Sequence, residues 1–394
     1  MPITFVILKL FFLLFLTNTI AKNSGIGRDG LLSASRLLAD ITSNNSLDLH
    51  ECINKFNDNA LSIHCTAGKN AENCEGQPDI RLAWLNQCLS RVIVKAGFQL
   101  PVYVVHGPDE YRLKRIKSEL TDIGLKYVHI HNKHQASHLN TTDVNSFFIE
   151  THPNMDVNSE EYKKCIEVHS FTNLGPKDSG PIRCSRGVKL DNRVLAVGLE
   201  HFGILTQIAN CQHDHVHCAS LASAPESRYA LIFEDDQHIP KNIIELVVEV
   251  LIQSDNTTGM YMLDDSWFWL PQFFPLNREY LKYVYQISYE RNYSRTVGAY
   301  LINQQAARKL VYGGYFYPQR SPIDFQLNYA VIKENISVHW VFPPMTCAGS
   351  AGMNETSSTG GYSIWPEFRD TCNQCCNKYY DVNTMNPYLK LELK

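Results

Sequence analysis

The sequence predicts an α/β fold: a mainly parallel, Rossmann-like sheet with helices on both faces, preceded by a small disulfide-bonded stem. Three observations carry this. A strand–helix–strand unit is legible over 99–130, a buried apolar strand over 229–234 runs straight into acids, and strands then alternate with helices as far as residue 345. With 394 residues, 44% of them hydrophobic, the chain has ample material for a core, which excludes disorder as its main state. Thirty-six Lys and Arg against 40 Asp and Glu leave a net charge of −4, so the broad basic footprint that nucleic acid requires is missing.

The first element is an apolar run over 3–21, interrupted by Lys9 and ending at Thr19-Ile20-Ala21, the small-residue pattern of a secretory signal. It is too short and too interrupted for a clean membrane span, so cleavage is expected, with a short signal-anchor as the alternative. Membrane attachment is expected only if the segment is retained. Twelve cysteines and six Asn-x-Ser/Thr sequons, beginning at Asn44, Asn140, Asn256, Asn292, Asn335 and Asn354, fit the same route into the secretory lumen or out of the cell. The organisation expected is a signal over 1–21, a cysteine-containing stem over 22–97, a catalytic-type α/β domain over 98–346 and a cysteine-rich extension over 347–394.

Within the stem one helix is expected around Ile80 to Val94. LPVYVVHG (100–107) reads as a strand closed by a turn, and YRLKRIKSELTDIG places Leu113, Ile116, Leu120 and Ile123 at helical spacing. Lys126 to Ile130 supplies the next strand, parallel to the first through a right-handed crossover. Residues 131–190 are rich in Asn, Asp, Ser, Pro and Gly and read as long loops with short elements. A long helix follows over Asn192 to Ala209. YALIFEDDQHIP (229–240) is a buried strand ending in carboxylates, with Pro240 suited to open the next helix. GMYMLDD, VGAYLI, NQQAARKLVY, SPIDFQLNYAVIK and ISVHWVF complete the alternation.

The chemistry is concentrated at Glu234-Asp235-Asp236. In a strand, residues two apart face the same way, so Glu234 and Asp236 are expected to project together from the carboxyl end of the sheet, where open α/β sheets bind ligands. Acids held so close repel one another unless a hard cation such as Mn²⁺ or Mg²⁺ lies between them, and such an ion could bridge a diphosphate. A solvated acidic turn that caps the following helix is the plainer alternative.

VYVVHGPDEYRLKRIKSELTDIGLKYVHI, VLAVGLEHFGILTQIA, YALIFEDDQHIP and VGAYLINQQAARKLV with PIDFQLNY, in that order over about 100–345, together resemble glycosyltransferase family 25, the lipooligosaccharide and procollagen galactosyltransferase group. The resemblance implies a GT-A type fold, a UDP-sugar or related nucleotide-sugar donor, a divalent cation and inversion at the anomeric carbon. It implies Asp236 as principal metal ligand, with Glu234 and Asp235 touching the metal, ribose or donor sugar. Arg112 and Arg115 would assist at the donor, or else form a solvated helix face. Asp324 is implied as the base that takes the acceptor's proton, with Asp265 as second choice and N-capping or a turn as their structural alternatives. Glu200-His201 stands where the family has Ser-His, His106-Gly107-Pro108 where it has Asn-Leu and a basic pair, and no third metal ligand is assigned.

CQHDHVHC (211–218) is expected to close as a disulfide around a polar loop rather than to bind zinc. Cys372, Cys375 and Cys376 are expected in structural disulfides, the histidine-rich 129–138 segment in a solvated loop, and SWFWLPQFF (266–274) either in the core or as a platform for sugar rings. The expected function is transfer of a hexose, such as galactose, from a nucleotide diphosphate to a glycan or glycoprotein hydroxyl. The alternatives are a catalytically inactive carbohydrate-binding protein on the same fold and a metal-dependent hydrolase.

Overall fold

The computed structural model describes residues 90–95, 98, 100–125, 128–139, 147–149, 152–170, 180–210, 229–253, 258–264, 284–286, 297–341 and 345–348. Asp265, the signal segment, the stem before residue 90, the CQHDHVHC loop, the SWFWLPQFF stretch and the three cysteines over 372–376 lie outside these residues. Among the described residues no helix is long and apolar enough to cross a membrane.

The fold is α/β. Strands β1 (Val102–Val105), β2 (Val128–His131), β3 (Tyr229–Glu234), β5 (Met260–Met262), β6 (Val284–Gln286), β7 (Ala299–Asn303) and β8 (Val338–Val341) form one seven-stranded sheet in the order β2-β1-β3-β7-β5-β8-β6. A short pair, β4 (Gln237–His238) with β9 (Cys347–Ala348), lies apart from it. β1 pairs in parallel with β2 and β3, and β5 with β8, whereas β7 runs antiparallel between β3 and β5 and β6 antiparallel to β8. The sheet is therefore mixed, with five strands pointing one way and two the other.

Side-chain alternation splits the core in two. Leu231, Phe233, Val102, Val104, Tyr261 and Leu301 face helices α1 (Glu110–Asp122) and α5 (Ile243–Gln253), while Tyr103, Val105, Ala230, Ile232, Met260 and Ile302 face α4 (Asn192–Ala209), α6 (Gln304–Tyr312) and α7 (Ile323–Lys333). Both faces are covered, which is why these strands read as unbroken apolar runs. The helical stretch over 90–95, the end of the expected stem, contributes Ile93 to the first core.

Two local differences from the sequence reading have physical causes. Residues 131–190 carry two helices, α2 (Glu160–Ser170) and α3 (Gly180–Arg186), because Tyr162, Cys165 and Val168 form a buried stripe that the polar average of the segment conceals. Cys165 and Cys184 join the two helices in a disulfide across a separation of 19 residues. Helix α5 begins at Ile243 rather than at Pro240, since Ile243 N–H bonds back to the Pro240 carbonyl in an intervening turn. Asn335, one of the sequon residues, sits exposed in the turn between α7 and β8 with φ of 49°.

Candidate functional site

β1, β2 and β3 end level with one another: Val105 is in register with both His131 and Glu234. β7 enters from the same edge, where Glu234 N–H bonds to the Gly298 carbonyl at 2.7 Å and Gly298 N–H donates to Asp264 Oδ2 at 2.9 Å. This edge gathers Glu234, Asp235, Asp236 and Asp264 into one corner. A Cβ on Gly298 would stand 2.2 Å from Gln237 Nε2 and 2.9 Å from Asp264 Oδ2, so glycine is what lets β7 close against the corner.

The three consecutive acids diverge. Glu234, the last strand residue, turns to the α4 face, where Oε1 lies 3.3 Å from His201 Nε2. His201 in turn lies 2.9 Å from the Tyr300 hydroxyl through Nδ1, and both rings are buried. Asp235 turns to the opposite face. Its Oδ2 bonds His106 Nδ1 at 2.8 Å and accepts from Gly107 N–H at 2.9 Å, while Oδ1 accepts from Arg112 Nη1 at 3.4 Å. Asp236 lies in the turn beyond the strand and accepts from Gln237 Nε2 at 3.4 Å, a long bond; Gln237 Oε1 accepts from Thr346 Oγ1 at 2.8 Å.

Helix α1 grips this turn from behind. Arg112 meets the Asp235 carboxylate, Arg115 donates to the carbonyls of Asp235 and Gln237 at 2.8 Å each, and Glu119 accepts from Ile239 N–H at 3.2 Å. Neither arginine borders the adjacent cavity, and neither forms a solvated face: the side chains are 2% and 12% exposed. Burial and the nearby Arg115 push the His238 imidazole down to about 4, which keeps it neutral beside the guanidinium.

A cavity of about 350 Å³ opens beside the corner. Its walls are the β1–α1 loop at His106, Gly107 and Pro108, the loop after β2 at His134 to Ser137, and the first turns of α4 at Arg193, Ala196, Val197 and Glu200; Glu234 and Asp235 form its acidic side. Glu200 fixes the wall after β2 by accepting from His131 Nδ1 and from His134 N–H. Part of the histidine-rich 129–138 segment thus borders the cavity instead of being merely solvated. Burial, then the charges of Asp236 and Asp235, push the Glu234 carboxyl far above the carboxylate range, opposed by Arg112. Burial drives the His201 imidazole down to about 3, so it is neutral.

Asp324 stands at the second position of α7, where Pro322 is the N-cap, and is half-buried outside the cavity lining. The structure therefore brings Glu234, Asp235 and Asp236 to one corner but does not bring Asp324 to the cavity beside them. His106, Glu200, His131, Tyr300 and Gln237 belong to the site without having been assigned to it from sequence. Their signal lay in position: His106 and His131 stand at the ends of β1 and β2, Glu200 on the inward face of α4, Gln237 just beyond the acidic turn and Tyr300 inside the buried β7.

A resident Mn²⁺ or Mg²⁺ would have to be held by these donors. Both Asp235 oxygens are engaged by protein donors, Glu234 Oε1 is turned toward His201 and Asp264 Oδ2 toward Gly298 N–H. Among the described residues no three His, Cys, Asp or Glu side chains converge as a ligand set. As these side chains stand, the described residues offer a divalent ion no complete ligand set. The chain matches no protein-family model, and no curated protein matches it.

Proposed function

We propose that the chain is a glycosyltransferase that moves a hexose from a nucleotide diphosphate to a hydroxyl of a glycan or glycoprotein, with the cavity taking the donor. The observation that carries this reading is the cavity's place, outside the carboxyl ends of β1, β2 and β3, walled by two strand-end loops and a helix, with carboxylates on one side and Arg193 on the other. A volume of about 350 Å³ suits a nucleoside-sized group. The GT-A form of the fold and the inverting outcome belong to this proposal through the family 25 resemblance.

In this reading the protein's own groups do the following. Glu234, held by His201, presents a carboxyl to the bound ligand and can accept or donate a hydrogen bond there. Asp235 keeps the β1–α1 loop closed on the acidic turn and so shapes the cavity. A carboxylate must also take the acceptor's proton as the new bond forms; of the two that the resemblance nominates, Asp324 stands outside the cavity lining, which leaves Asp265 as the candidate. The Cys165–Cys184 disulfide suits the oxidising lumen of the secretory pathway or the cell exterior.

The purified chain should be incubated with a panel of nucleotide sugars and release of free nucleoside diphosphate followed. Slow release with one donor, accelerated by a glycan acceptor, is the expected result. The second reading, a carbohydrate-binding protein without turnover, is favoured by the complete engagement of the Asp235 carboxylate inside the fold. Glycan affinity with no nucleotide release from any donor would establish it in place of the transferase, and turnover of glycosides or phosphate esters without a nucleotide donor would point to a hydrolase.

A further inference from the structure

An acidic corner this crowded needs a positive charge, and the fold already contains one. The Arg112 side chain is 2% exposed, points from α1 toward the turn, and places Nη1 3.4 Å from Asp235 Oδ1 and Nε 3.7 Å from Asp109 Oδ2. Asp109 is also the N-cap of α1, accepting from Tyr111 and Arg112 N–H, so the base of the arginine is anchored by the same carboxylate. Arg112 is also the influence that opposes burial, Asp236 and Asp235 in raising Glu234.

We infer that Arg112 is the built-in cation of this corner: its guanidinium supplies the positive charge that a divalent ion would otherwise supply, so the corner holds its fold and takes its ligand without bound metal. Geometry favours the arginine over an ion. The permanently charged guanidinium meets Asp235 Oδ1 through Nη1 and leaves Oδ2 to His106 and Gly107, whereas an ion bound at Oδ1 would have to displace that contact. The same contact ties α1 to the end of β3, so charge compensation and loop closure are a single interaction. This goes beyond the proposed transfer reaction and is decided without it.

The test is titration of the full-length chain with MnCl₂ alone, followed by calorimetry and thermal melting, on the wild-type, Arg112→Gln, Arg112→Lys and Asp236→Asn proteins. The wild type and Arg112→Lys should show no Mn²⁺ binding that depends on Asp236 and no rise in Tm. Arg112→Gln, with its acids uncompensated, should melt lower and regain several degrees on adding MnCl₂, with at least a tenfold gain in Mn²⁺ affinity over wild type. Stoichiometric micromolar Mn²⁺ binding by the wild type that disappears in Asp236→Asn would overturn the inference, as would a folded Arg112→Gln protein that gains no Mn²⁺ affinity. If Arg112→Gln does not fold, the wild-type and Asp236→Asn titrations still decide. A parallel UDP titration should give the same affinity in EDTA and in MnCl₂. UDP binding only with Mn²⁺ overturns the inference, whereas no UDP binding in either condition counts against the nucleotide-donor reading and leaves the Mn²⁺ result to decide the role of Arg112.

Discussion

Replacing Asp235 by asparagine should be among the most damaging single changes at the sheet edge, while the same replacement at Asp236 should be nearly silent for stability. Asp235 is 2% exposed and its two oxygens hold His106 Nδ1, Gly107 N–H and Arg112 Nη1. Asparagine keeps one acceptor, but it presents an amide where a carboxylate was and faces the buried Arg112 guanidinium with a neutral group, Asp109 Oδ2 standing farther off at 3.7 Å. Breaking a buried pair by removing one charge costs about 3–5 kcal/mol. At roughly 2–4 °C per kcal/mol for a domain of this size, Tm should fall on the order of 10 °C. Asp236→Asn retains an acceptor for Gln237 Nε2 and removes a like charge beside Glu234, so its stability should stay within about 1 kcal/mol of wild type. Urea titration and thermal melting of the two proteins side by side are the assay. An Asp235→Asn protein within about 1 kcal/mol of wild type, or one more stable than Asp236→Asn, would refute the assignment of Asp235 as the lock between α1, the β1–α1 loop and β3.

Glu249 on α5 is 2% exposed, and burial and the charge of Glu245 push its carboxyl from 4.5 up to about 8. The folded state thus holds this proton more tightly than the unfolded chain, and its contribution to stability falls as pH rises through that window; at about 1.4 kcal/mol per unit, Glu249→Gln should flatten the pH dependence of the unfolding free energy by roughly 3 kcal/mol between about pH 5 and 7.5, read from urea titrations. An unchanged pH profile would show that the carboxyl is solvated. Removing the Cys165–Cys184 disulfide by Cys165→Ser should cost about 3 kcal/mol, seen as faster proteolysis within α2 and α3 before the sheet unfolds. A Cβ on Gly198 would lie 2.3 Å from Gln319 Oε1, and Gln319 is 1% exposed, so Gly198→Ala should cost about 1–3 kcal/mol, with part of the loss recovered in the Gly198→Ala, Gln319→Ala double variant. Equal Tm values for the single and double variants would place the clash elsewhere.

The elements that were legible in the sequence are those whose burial is one-dimensional. β1, β3, β5, β7 and β8 stand out because both sheet faces are covered, and α4 was bounded at Asn192 and Ala209 by its apolar pattern after Asp191. The direction of β7 left no mark, since a buried run reads the same whichever way it pairs. The corner was half legible. Alternation along β3 correctly separates Glu234 from Asp235, and of the two aspartates it is Asp236 whose charge raises Glu234 more; but the strand ends at Glu234, so the matching projection expected of Asp236 depends on a turn that the residue pattern does not encode. Arg112 and Arg115 could not be placed because the helical repeat identifies an apolar face but not a charged member of it: Arg112 shares the buried stripe of Ile116 and Leu120, Arg115 flanks it, and both turn inward because α1 packs against an acidic turn more than a hundred residues away. The bonds from Glu200 to His131 and His134 are hidden for the same reason: a carboxylate on an apolar helix is uninformative until its distant partners are known.

β7 sets the timetable of synthesis. β3 is bonded on one side to β1, made long before it, and on the other to residues 299–303, made well after it. While translation proceeds, β3 therefore waits with one edge bare, and the acidic turn lacks the Gly298 carbonyl and N–H that hold its sheet-side wall. The α2–α3 disulfide, by contrast, can form as soon as residue 184 emerges. A nascent chain halted before residue 297 should carry that crosslink yet expose an adhesive strand edge, making this interval the one in which a chaperone has most to shield.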